Sequence, residues 1–115
     1  MAESEHFFCA KDLYPVAPGH SLVISKRHTP DYFSLTDEEK QDLTRIIDVV
    51  CDLLRGTQAI DGFNIGTNAG KAAGQTIFHT HIHIIPRTHG DLPNPEGGIR
   101  NMMPNGRYML GQHVE

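Results

Sequence analysis

From Phe78 to Ile84 two kinds of residue alternate: Phe78, Thr80, Ile82 and Ile84 on one parity, and His79, His81 and His83 on the other. Period-2 alternation is the mark of a half-buried strand with two unlike faces. It predicts a strand from about Gln75 to Ile85 that packs one face on a core and displays three imidazoles on the other. A second pattern, at helical spacing, joins Leu43, Ile46, Ile47, Val50, Leu53 and Leu54. Thr36 and Glu39 are placed to form a capping box, Asp37 and Glu38 suit the positive end of a helix, and Gly56 suits its close. One amphipathic helix over Asp37 to Arg55, covering one side of a sheet, follows.

The remaining elements are shorter. Phe7 to Leu13 reads as a weak strand stopped by the turn-forming Tyr14-Pro15-Val16-Ala17-Pro18-Gly19. His20 to Ser25 reads as a strand rich in branched apolar residues, ending at Lys26-Arg27. Asp31 to Leu35 reads as irregular. Phe63 to Thr67 forms a further strand, and the small residues Asn68 to Gly74 form a loop that opens onto the imidazole face. After Pro86 the chain becomes polar and rich in proline and glycine, a loop-like tail with a short strand near Arg107 to Leu110.

Length and charge narrow the field. The 115 residues suit one domain over 1–115, of α/β or α+β type, with residues 86–115 as its loop-rich tail. A net charge of -4 argues against a nucleic-acid or anionic-membrane binder, so any phosphate must be met locally. Cys9 and Cys51 are far apart and in no CxxC arrangement, which suits a reducing cytoplasm. The amino terminus has no signal-peptide pattern, and no window approaches a membrane span.

Same-face residues on a strand lie roughly 6.6 to 6.8 Å apart, which puts His79 and His83 about 13 Å apart at the backbone. Adjacent pairs can therefore share one phosphate or one metal ion, while all three cannot easily do so. A metal site would need His20 beside two members of the row. Phosphate is favoured by the neighbouring loop, where Gly70 and Gly74 let backbone N–H groups approach an anion and Gln75 and Thr76 add neutral donors. A neutral imidazole is a competent nucleophile toward phosphorus when its other nitrogen is hydrogen-bonded and a second donor stabilises the phosphoryl oxygens. His81, the central histidine, is the one with a neighbour on either side.

The chain resembles the histidine triad (HIT) family of nucleotide hydrolases and transferases. The resemblance runs from Asp12-Leu13-Tyr14-Pro15-Val16-Ala17-Pro18-Gly19-His20, Leu22-Val23-Ile24 and Lys26-Arg27-His28 through the helix. It continues in Asn68, Gly74-Gln75-Thr76, the triad His79, His81 and His83, and Pro86-Arg87. It implies an α+β fold, an antiparallel sheet of about five strands with one long helix packed on it, and a homodimer. It implies hydrolysis of a purine nucleotide at its α-phosphate, the substrate being a phosphoramidate, an adenylate or a dinucleoside polyphosphate. His81 is then the nucleophile that forms a nucleotidyl-histidine, His83 the donor to phosphate and leaving group, and His79 and His20 the groups that fix tautomers. Asn68, Gly74, Gln75 and Thr76 match the phosphate-contacting loop, and no metal or other cofactor is required.

Two features separate the chain from other branches. Many members carry a paired-cysteine zinc site ahead of the first strand, where this sequence has Cys9 alone. The third triad position is His83 rather than glutamine, and Thr80 replaces the proline of the uridylyltransferase branch, which favours hydrolysis over transfer between sugars. The alternatives are a nucleotide-binding or scaffolding protein with negligible turnover and a metal-dependent hydrolase built on the histidine cluster. Gly97-Gly98-Ile99-Arg100 and Pro104 to Tyr108 resemble the carboxyl-terminal run of some bacterial members, and Arg100 or Arg107 could reach a substrate or a partner subunit.

Overall fold

The computed structural model describes residues 2–104. Four strands, β1 (Phe7–Lys11), β2 (Ser21–Ser25), β3 (Gly62–Gly66) and β4 (His81–Arg87), form one antiparallel sheet in the order β1-β2-β4-β3. The helix α1 (Asp37–Arg55) connects β2 to β3 and packs against β1 and β4. This is an α+β arrangement with one long helix on an antiparallel sheet, four-stranded among the described residues rather than about five. The strand expected near Arg107 to Leu110 lies outside those residues.

One face of the sheet is the core. Phe7 and Cys9 of β1, Val23 of β2, and Ile82 and Ile84 of β4 are buried against Leu43, Ile46, Val50, Cys51 and Leu54 of the helix. Each large apolar side chain so buried contributes about 1.5–3 kcal/mol. The helix starts where its cap predicts: the Glu39 amide donates to Thr36 Oγ1 at 3.1 Å and the Thr36 amide to Glu39 Oε1 at 2.8 Å. Gly56 ends it in a right-handed conformation, φ -76°, so the termination rests on its N–H closing back on the Asp52 and Leu53 carbonyls rather than on a left-handed turn. No helix among the described residues is long and apolar enough to cross a membrane.

Several expected boundaries move. Leu53 is exposed, and Glu39, Asp42 and Cys51 share the buried face instead. Asp42 is stabilised there by the Ser4 hydroxyl at 2.6 Å and the His6 amide at 2.9 Å, which tie the amino-terminal arm to the helix. The histidine strand starts at His81, six residues later than periodicity implies. The buried Gln75 carboxamide donates to the Pro30 and Ile77 carbonyls at 2.6 and 3.1 Å, holding 75–78 as a loop against the 28–30 segment. Phe78, expected on the core face, is consequently exposed. Thr80 keeps its predicted inward position by hydrogen bonding to Thr29 through both hydroxyls.

Candidate active site

Because one helix covers one face, the opposite face of the sheet is open. Leu22 and Ile24 on β2 stand directly across from His83 and His81 on β4, so apolar and imidazole side chains share that surface. The segment 12–14 and the loop 74–77 rise beside it and enclose a cleft of about 490 Å³ whose lining includes His81 and His83. A larger hollow of about 920 Å³ lies behind the 15–19 turn against Leu53, Leu54 and Gln58. It reaches Asp12 and His20 but neither His81 nor His83, so the smaller cleft is the place for their chemistry.

Hydrogen bonds to groups of fixed character assign the tautomers in this site. The His81 Nδ1 lies 2.7 Å from the His79 carbonyl oxygen. A carbonyl can only accept, so Nδ1 carries the proton and Nε2 keeps its lone pair. At His20 the opposite holds: the Val16 amide donates to Nδ1 at 3.2 Å, which leaves the proton on Nε2. That Nε2 is 2.9 Å from His83 Nδ1. His83 therefore accepts on Nδ1 and bears its proton on Nε2. The chain from Val16 through His20 to His83 thus makes one imidazole a donor beside another that is a free base.

Burial, reinforced by the charges His20 and His81 would carry, pushes the His83 imidazole below the ordinary histidine range, with Asp12 opposing. His83 is accordingly neutral at pH 7, as the Val16–His20–His83 chain requires.

His79 does not join the other two in the cleft. Its Nε2 donates to the Ser25 carbonyl at 2.6 Å and its Nδ1 accepts from His28 Nδ1 at 2.9 Å. Its ring is tied to the end of β2, while its main-chain carbonyl orients His81. His28 is thereby a partner of His79, and the His89 ring stands 93% exposed, 4.0 Å from Asp61.

Asn68, Gly74, Gln75 and Thr76 all border the cleft. Their donors are less available than their types suggest. Gln75 Oε1 accepts from the Gly70 amide at 2.8 Å while its Nε2 holds Pro30 and Ile77, and the Gly74 and Gln75 amides close on Lys71 and Gly70. Gln75 and the two glycine amides, expected to face an anion, bind the loop to itself. Gly74 is required for its φ of +92° rather than for space, since nothing lies within 4 Å of a Cβ there. Arg87 is likewise committed, to Asp91 in a bidentate pair at 2.7 and 2.8 Å and to Asn64 Oδ1 at 2.6 Å. The same pair holds the Asp91 carboxyl well below the usual carboxylate range.

Asp12 and Val16 are the contributors that residue patterns did not single out. Asp12 Oδ2 lies 3.3 Å from His20 Nε2 and 3.9 Å from His83 Nδ1, while its Oδ1 accepts the Tyr14 amide at 2.8 Å. Its place eight residues before His20, across a Pro-Gly turn, is the signal available in sequence. Among the described residues Asp12, His20 and His83 also have ligand atoms close enough to share a metal ion. This is not the expected set of His20 with two triad members. It also conflicts with the tautomer of His20, because Nε2 could ligate only with a proton on Nδ1, where the Val16 N–H already donates.

A family profile described as the HIT domain matches residues 1–90. A bis(5'-adenosyl)-triphosphatase of Dictyostelium discoideum is 44% identical over 104 residues, covering 82% of this chain and 67% of that protein. An adenylylsulfatase of Arabidopsis thaliana is 37% identical over 91 residues, covering 79% of this chain and 46% of its own length. The crystal structure of a hypothetical histidine triad nucleotide-binding protein from Sulfolobus tokodaii superposes with a TM-score of 0.74 at 39% identity, covering 80% of this chain and 62% of that one. Against several curated HIT-like relatives, the chain spans 60–62% of their length.

Proposed function

The chain belongs to the HIT domain family, and from that premise we propose that it hydrolyses a purine nucleotide substrate at its α-phosphate, without a metal, through a nucleotidyl-histidine on His81. The observation that carries this reading is the 2.7 Å contact between His81 Nδ1 and the His79 carbonyl, which leaves an unprotonated Nε2 in the cleft. The relatives named as a triphosphatase of bis-adenosyl nucleotides and as an adenylylsulfatase support an adenylyl substrate.

In the first step the Nε2 lone pair of His81 forms a bond to phosphorus as the bond from phosphorus to the leaving group breaks. The electron pair departs with the leaving atom, which receives a hydrogen bond from His83 Nε2–H; an amine leaving group takes its proton from solvent. His81 is now a cationic phosphoryl-imidazole whose retained Nδ1 proton still faces the His79 carbonyl. That oriented dipole favours the cation. In the second step water attacks the phosphorus and releases its proton to solvent, the P–N bond breaks, and its electron pair returns to Nε2 with release of the nucleoside monophosphate.

In this scheme His81 and His83 are catalytic, and His79 and His20 position them. Asn68 and Thr76 contact the phosphate, while Gly74 and Gln75 hold the loop that presents them. The protein acts as a homodimer in the cytoplasm, with no cofactor and no nucleic-acid or membrane partner, a setting that suits two buried cysteines not joined in a disulfide.

The test is chromatographic detection of AMP released from adenosine 5'-phosphoramidate and diadenosine polyphosphates in the presence of chelator, with His81→Ala as control. Release by the parent and loss in the variant, with AMP binding kept, is the expected outcome. Release that persists in His81→Ala, or that disappears on chelation, would overturn the mechanism.

A further inference from the structure

The Gly97-Gly98-Ile99-Arg100 run has so far no part in the site, yet the fold returns it to the histidine face. The cross-strand partner of His83 on β3 is Gly66, and directly opposed residues project to the same face of a sheet. A Cβ on Gly66 would meet Ile99 Cδ1 at 3.8 Å. Ile99 therefore lies over β3, one strand beyond His83, on the side of the histidine pair opposite the β1–β2 part of the cleft.

The turn Gly98–Met102 is braced there. Asn64 is two residues from Gly66 and on the same face, and its Nδ2 is 3.4 Å from where a Gly98 Cβ would stand. Asn64 Oδ1 in turn accepts from Arg87 at 2.6 Å, and Arg87 is clasped by Asp91. Gly97 and Gly98 adopt φ values of +87° and +49°, which bend the tail toward β3. Ile99 is 52% exposed in this position.

A phosphoryl group bound over His81 and His83 would have the cleft on one side and this turn on the other. We propose that the Gly98–Met102 turn is one wall of the leaving-group subsite and that Ile99 is a specificity-determining residue. Its exposed apolar surface packs on the departing part of the substrate and favours a leaving group that carries a second nucleoside over a small one such as ammonia. This rests on the nucleotide-hydrolase reading above.

The test compares kcat/KM for diadenosine triphosphate and adenosine 5'-phosphoramidate, two substrates with the same adenylyl group and different leaving groups, in the parent, Ile99→Ala and Ile99→Asp. The wall predicts losses of about threefold and about tenfold for the dinucleotide, with the phosphoramidate changed by less than about twofold. Because Ile99 is half exposed, melting temperature and AMP affinity stay as in the parent. Equal losses on both substrates, or none on either, would overturn the proposal. If the parent hydrolyses neither substrate, the hydrolase reading fails by itself, and the wall is read from binding. The ratio of Kd for AMP to Kd for a methylene-bridged, non-hydrolysable diadenosine triphosphate then falls in Ile99→Asp if the wall exists, and an unchanged ratio overturns it.

Discussion

His20 Nε2 stands 2.9 Å from His83 Nδ1, although 63 residues separate them in the chain. Because the Val16 amide already donates to the other nitrogen of His20, the direction of this hydrogen bond is fixed and His83 presents a proton to the cleft. Protonating His83 would place a second proton where His20 already donates.

A pH dependence follows from that relationship. Burial and the neighbouring His20 and His81 lower the His83 pKa, so His83 stays neutral as pH falls through the ordinary histidine value of 6.5. The acid limb of kcat/KM governed by His83 is expected below pH 6.5. In His20→Ala the His83 Nδ1 is no longer met by a donor, so the limb moves to higher pH. NMR titration of the His83 ring in both proteins checks this, and an unchanged pKa in the variant would refute it.

Asp12→Asn keeps the size of the side chain and removes its charge beside the His20–His83 pair. The expected outcome is a fall in kcat of roughly tenfold, equal to about 1.4 kcal/mol of barrier, with the fold retained. The His83 pKa falls further, because Asp12 is the group that raises it. A stabilising packing role alone would lower the melting temperature and leave the pH profile in place, which separates the two explanations.

Gln75 holds three main-chain groups, those of Gly70, Pro30 and Ile77, with one buried carboxamide. Gln75→Ala removes the hydrogen bonds of one buried carboxamide to these three groups, at a cost of about 1–3 kcal/mol. KM is expected to rise more than kcat falls, since the loop that borders the cleft loses its anchor while His81 does not. Thermal melting together with steady-state kinetics measures both effects.

Glu39 is buried, completes the helix cap and accepts two hydrogen bonds from Arg27. The Arg27 guanidinium and the Thr36 amide bring its pKa down to about 2 from 4.5. A depressed carboxyl pKa means stability that is fully present above pH 4.5 and lost as pH falls toward 2. Glu39→Gln is expected to cost about 1–2 kcal/mol at neutral pH, the outer half of the pair being exposed to solvent. The difference in melting temperature between parent and variant should shrink steadily between pH 4.5 and pH 2; a constant difference would place the effect in packing instead.

Periodicity alone determined the element types that matter most. The helix over Asp37–Arg55 has the predicted bounds, because apolar spacing and a capping box are local properties. The inward set Thr80, Ile82 and Ile84 was legible for the same reason, and the Phe63 strand nearly so. The alternation also put three histidines on one parity, and family resemblance gave them roles. Local pattern could not show that His79 would turn to Ser25 and His28 and leave two imidazoles in the cleft. Nor could it show that Gln75 would hold a loop where a strand was expected, since the carbonyls it binds come from Pro30 and Ile77. The tautomer of His83, the place of Asp12 beside it and the return of Ile99 to β3 were decided by tertiary structure alone. Each depends on a contact between segments distant in sequence, where a donor or a side chain has no neighbour in the chain to announce it.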